Sequence, residues 1–170
     1  KRHKKVFNSY KVIPEFCFGC YKVQIEPENI IDLIKLYILF DNINMINTRK
    51  CMIELRSKIS GNYKGLIYCK SIEDAKCTQK KITDHVENYF KKKLPIKIKR
   101  GCTEYGIEYP QYNNLETNIM GYRSDWKNYE NLIDENFPNL AFNEKIQPTI
   151  KGATLHDILV IRNWIYFAKL

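Results

Sequence analysis

Several chemical signatures are missing from this sequence. It has no Walker loop, no Gly-x-Gly-x-x-Gly and no His-Glu-x-x-His, which leaves out the common nucleotide cradles and the helical zinc-protease site. Its histidines, His3, His85 and His156, are dispersed, and no Ser/His/Asp set can be assembled around them. Glu26-Pro27-Glu28-Asn29 carries two acids and no arginine, so this loop would repel a phosphate rather than cradle it. Glu104, Glu108 and Asp125 carry no pattern that separates them from surface acids. Long apolar runs are missing too. Leu33 to Phe40 is interrupted by Lys35, and Ile158 to Leu170 by Arg162 and Asn163. Both fall short of the ~20 residues a membrane helix needs. The basic opening Lys1-Arg2-His3-Lys4-Lys5 is not followed by the apolar core of a signal peptide. The reading is a soluble, cytoplasmic protein without internal repeats or low-complexity tracts.

What is present supports one domain with a real core. The chain has 170 residues, 44% of them apolar, enough to fold without disulfides or metal. Lysine and arginine number 28 against 19 acids, for a net charge of +9, which favours polyanionic partners.

Alternation and turn signals predict the element order. Residues 16–25 read as a strand, with Tyr21, Val23 and Ile25 alternating with Lys22 and Gln24. Pro27 precedes a helix predicted from Glu28 to Asp41, apolar on most faces and therefore deeply buried. Cys51, Ile53 and Leu55 mark a second strand. Ser60-Gly61-Asn62 marks a turn, and Tyr63 to Cys69 a third strand. A helix follows, opened by Ser71 and Asp74, striped by Ala75, Ile82, Val86 and Tyr89, and closed by Lys91-Lys92-Lys93. Pro95 stops it, and Ile96 to Lys99 gives a fourth strand. The predicted class is α+β, with a ferredoxin-like β-α-β-β-α-β core and a four-stranded antiparallel sheet in the order 4-1-3-2. Tyr105, Ile107 and Tyr109 predict a strand extension. The expected divisions are a basic segment over 1–15, the core over 16–109, and an extension over 110–170. That extension is a wrapping segment with a short helix near 125–135 and a final amphipathic helix from Thr154. The last helix is expected to pack on the core or dock on a further domain or protein.

Five cysteines fall at one end of this predicted sheet: Cys17, Cys20, Cys51, Cys69 and Cys102. Cys77 lies early in the second helix. Cys17-Phe18-Gly19-Cys20 has the spacing of a zinc-ligating pair, so these five are the candidate metal ligands, with zinc the favoured ion. Iron–sulfur ligation fits the count but lacks the compact spacings. A dithiol cycle at Cys17 and Cys20, buried inert thiols and disulfides are the competing readings.

The densest positive run is Lys91, Lys92, Lys93, Lys97, Lys99 and Arg100. Lys64-Gly65-Leu66-Ile67-Tyr68-Cys69, with Glu73 and Ala75, loosely resembles part of the third strand and following helix of the RNA-recognition motif. Leu66 and Cys69 stand where that motif has stacking aromatics, so family membership does not follow. Lys64, Tyr21 and Tyr68 join the basic run as candidate polyanion contacts. The expected function is a basic binding module for a nucleic acid, RNA favoured, or another polyanion, with a structural zinc as an option. The alternatives are a metal- or redox-dependent enzyme or accessory domain built on Cys17, Cys20 and Cys102, and a structural interaction domain of a larger protein.

Overall fold

A computed structural model describes residues 2–57, 59–116, 119–138 and 154–170. Among them are strands β1 (Tyr21–Ile25), β2 (Arg49–Ile53), β3 (Tyr63–Cys69) and β4 (Ile96–Arg100). The α-helices are α1 (Arg2–Tyr10), α2 (Ile30–Asn42), α3 (Ile72–Phe90), α4 (Thr103–Glu108), α5 (Trp126–Asn136) and α6 (Leu155–Phe167). The strands form one antiparallel sheet with neighbours β2-β3-β1-β4, which read from the β4 edge is 4-1-3-2. No helix among the described residues is long and apolar enough to cross a membrane.

The chain divides into two compact units. One comprises Lys1–Tyr21, Lys70–Ile72 and Lys99–Lys145; the other Lys22–Cys69, Glu73–Ile98 and Ile146–Leu170.

In the second unit the pleat separates two kinds of residue. Cys51 stands opposite Gly65 in the β2–β3 ladder, so the two share a face. That face receives α2: a Cβ on Gly65 would fall on Leu36 and within 3.1 Å of the Phe40 ring. Cys51, Ile53 and Tyr63 pack against the cluster of Ile30, Leu33 and Trp164, which joins α2 to α6. The other face of this ladder carries Lys50, Met52, Lys64, Leu66 and Tyr68, by the period of two. α2 starts because Asn29 accepts the Asp32 N–H at 2.9 Å. α6 starts in a capping box between Thr154 and Asp157, and Asp157 also accepts the Tyr37 hydroxyl.

The first unit is held by aromatic rings. Val6, Phe7, Val12, Ile13, Cys17, Tyr105, Tyr112, Trp126 and Ile133 form its buried cluster. Phe18 meets Tyr112 edge-on at 5.4 Å and Tyr122 at 5.9 Å, the geometry the ring quadrupole favours.

Five local expectations are corrected. Residues 15–19 form a 3₁₀ turn rather than the start of strand one. Pro14 fixes the turn, with the Cys17 N–H reaching the Pro14 carbonyl at 2.9 Å, and Phe18 turns into the ring cluster. Strand two begins at Arg49, so Cys51 lies mid-strand and Leu55 is left exposed. Tyr105, Ile107 and Tyr109 belong to a helix and its cap, not a strand. Tyrosines four apart fit one helical face as well as one strand face, and the Tyr109 N–H bonds the Tyr105 carbonyl at 2.7 Å. Tyr89 is exposed, and the buried stripe of α3 is Ala75, Thr78, Ile82 and Val86. On α2, Ile31 and Ile38 are exposed, so its burial is one-sided. The expected helix near 125–135 is α5. Residues 139–153, part of the expected wrapping segment, lie outside the described residues.

Candidate functional site

The Cys-x-x-Cys pair occupies the 3₁₀ turn and its end, where the Cys20 N–H bonds the Cys17 carbonyl at 3.2 Å. After β4, the Gly101 N–H bonds the Cys20 carbonyl at 2.7 Å, and Cys102 caps α4. The backbone therefore brings Cys20 and Cys102 to one place. Cys17 and Cys102 belong to the same packed cluster. Cys17 is buried, with its Sγ 3.6 Å from the Tyr105 hydroxyl, and its carbonyl accepts the Tyr112 hydroxyl at 2.6 Å. Burial pushes the Cys17 thiol up to about 12, while the Tyr105 hydroxyl pulls it down by less. A thiol held neutral is a poor nucleophile. Burial also raises Cys51, on the helix-covered sheet face, and Cys69 is buried at the end of β3. Cys17, Cys51 and Cys77 are free thiols. Among the described residues, no group of three or more His, Cys, Asp or Glu is placed to hold a metal ion.

This packing predicts a simple labelling pattern. At pH 8 a disulfide reagent should react promptly with Cys77, the exposed thiol, and with Cys17 and Cys69 only after denaturant is added. Cys77→Ser should remove the prompt phase. Prompt labelling of Cys17 in the folded protein would contradict this packing.

The candidate polyanion contacts are dispersed in role. Lys92 bridges Glu28 at 2.6 Å and Asp32 at 2.8 Å. Lys97 pairs with Glu26 at 2.5 Å. Burial pushes the Glu26 carboxyl up, but hydrogen bonds from Lys97 and Gln24 outweigh it and hold it below its ordinary value. Lys64 is 3% exposed and lies 3.6 Å from Glu54; burial lowers its pKa and Glu54 opposes the fall. Arg100 is 2% exposed. Its guanidinium lies over the rings of Phe18 and Tyr112 and donates to the carbonyls of Phe18 and Met120. Tyr21 is buried, and its hydroxyl has no hydrogen-bond partner among the described residues. Tyr68 is half-buried beneath the Lys22 ammonium, 5.2 Å from the ring centre. Lys99 donates to Thr103 Oγ1 at 2.5 Å. Lys91 and Lys93 remain as exposed cations in the turn after α3, with no ion pair among the described residues.

In the basic opening, Arg2 is buried and binds Glu130 and Asp134, whereas Lys4 and Lys5 are exposed on α1. Sequence reasoning missed that these residues are helical. The i, i+4 pair Arg2 and Val6, both buried, was the available signal. It also missed three lysines in the left-handed region: Lys11 (φ 57°), Lys91 (φ 55°) and Lys169 (φ 57°). Lys11 and Lys91 directly follow α1 and α3. Glycine or asparagine is the usual residue at such a position, and no local pattern announces a lysine there. No protein-family model, curated protein or solved structure matches this chain.

Proposed function

We propose that the chain is a non-catalytic binding module for a polyanion, with RNA the favoured class. One observation carries this reading: Lys91 and Lys93 stand exposed in one turn without a carboxylate partner, although acids take up their neighbours Lys92 and Lys97. Lys91 follows α3 directly, where the negative end of the helix dipole favours a cation. The body of α3 adds little, because Lys76, Lys80 and Lys81 share it with Glu73, Asp74, Asp84 and Glu87. The exposed Lys4 and Lys5 form a second basic place, in the other unit. The reading does not require zinc. We also infer that β1-α2-β2-β3-α3-β4 is of the ferredoxin-like class, supported by its element order and by the neighbours β2-β3-β1-β4.

The test is RNA affinity at low and moderate salt for the parent and for Lys91→Gln/Lys93→Gln. The expected result is a loss of roughly tenfold and a shallower salt dependence, by about one unit of log–log slope for each lysine–phosphate pairing removed. Lys92→Gln should lose less, because its charge is already shared with Glu28 and Asp32. Equal affinity in the parent and the double variant would leave these lysines as a solubilising surface, and would shift the weight to an interaction domain.

A further inference from the structure

The first unit carries a surface that the basic run alone does not explain. Tyr10, at the end of α1, and Tyr129, on α5, pack ring to ring at 5.2 Å with an interplanar angle of 41°. Both remain open to solvent, at 38% and 42% exposure. Phe137, which caps α5, is also exposed, and the Lys5 ammonium lies 4.4 Å from its ring centre. Aromatic rings packed into a core need no such exposure: Phe7, Tyr105, Tyr112 and Trp126 of the same unit are all 5% exposed or less.

Cations accompany these rings. Lys5 and Lys11 are exposed and form no salt bridge among the described residues. Lys11 follows Tyr10 directly and holds a left-handed backbone at φ 57°, a conformation that favours glycine over lysine. Its ammonium lies 5.3 Å from the centre of the Phe7 ring. The nearby acids are largely committed elsewhere. Glu130 and Asp134 hold Arg2, and Glu15 holds Lys127. Glu135 is the exposed acid of α5 that remains.

We propose that this surface of α1 and α5 binds single-stranded nucleic acid, with bases stacking on Tyr10, Tyr129 and Phe137 and phosphates meeting Lys5 and Lys11. Exposed rings beside unpaired cations suit a strand whose bases are unstacked, because every base offers a π-face and every nucleotide a phosphate. A duplex hides its bases and offers this surface only charge. The inference rests on the polyanion reading and adds to it a second site, a preference for single strands and a set of aromatic contacts.

The test compares a labelled oligouridylate, a duplex RNA of equal length and heparin, at one moderate salt concentration. The variants are Tyr10→Ala/Tyr129→Ala and Tyr10→Phe/Tyr129→Phe, each checked for an unchanged circular dichroism spectrum. The expected result is single-strand affinity at least tenfold above duplex affinity in the parent. The alanine pair should lower single-strand affinity roughly tenfold or more, leaving heparin binding within twofold. The phenylalanine pair, which keeps both π-faces, should bind like the parent. Unaltered single-strand affinity in the alanine pair, an equal loss for heparin, or failure of the phenylalanine pair to bind would overturn the stacking inference and leave the polyanion reading standing. No binding to any of the three ligands by the parent would overturn both.

Discussion

Glu130→Ala is expected to lower stability by about 3–5 kcal/mol, measured by urea unfolding. Glu130 is 2% exposed, yet it organises three separate segments. It accepts Arg2 Nη1 at 2.8 Å, the Glu15 backbone N–H at 2.9 Å and the Tyr122 hydroxyl at 2.8 Å. Removing it leaves a buried guanidinium short of a partner and two donors unpaired, and each orphaned buried donor costs about 1–3 kcal/mol. Asp134 cannot replace it, because it already holds Arg2 Nε and Nη2 from a half-exposed position. Asp134→Asn should accordingly cost only about 1 kcal/mol. A loss below about 1 kcal/mol for Glu130→Ala would show that this network does not hold the first unit together.

Glu54→Leu is expected to cost about 3 kcal/mol, and Glu54→Leu/Lys64→Met to recover most of that loss. The side chains of Glu54 and Lys64 are each 4% exposed and lie 3.6 Å apart, so losing one strands the other in a poor solvent for charge. Replacing both removes the desolvation along with the attraction. Arg56 completes the group, donating from Nε to one Glu54 oxygen and from Nη2 to the other, each at 2.7 Å. Those bonds, against the opposing effect of burial, hold the Glu54 carboxyl at about 2, where 4.5 is ordinary. Its contribution is therefore complete above pH 4.5 and is lost as pH falls toward 2. Allowing for the exposure of Arg56, the parent should lose roughly 2 kcal/mol through this group between pH 5 and pH 2. The double variant should lack that part of the acid dependence. If the double variant is no more stable than Glu54→Leu, the two side chains are not coupled.

The sheet could be read from the sequence because period two is visible one strand at a time. Tyr63 to Cys69 was bounded by a glycine turn before it and a helix start after it, and β3 has those same limits. Phe16 to Cys20 runs directly into the alternation of residues 21–25 but follows Pro14, and the three-residue bonds that close the turn leave no periodic trace. Tyr105 and Tyr109 were ambiguous because four residues is close to a whole number of both periods. The candidate sites were less legible still. Net charge cannot separate Lys92, shared between two acids, from Lys93 beside it, because the deciding carboxylates lie some sixty residues away. Arg100 looks basic in sequence and is structural in space. Tyr10 and Tyr129 meet across more than a hundred residues, so no local pattern could show them as a pair.

The central claim is association with a polyanion, and the salt dependence of oligouridylate binding by the unaltered protein tests it most directly. Each lysine that meets a phosphate of a single strand should steepen the fall in affinity, by about 2.5-fold per lysine between 50 and 200 mM salt. Absence of binding at 50 mM, or an affinity that does not change across that range, would contradict it.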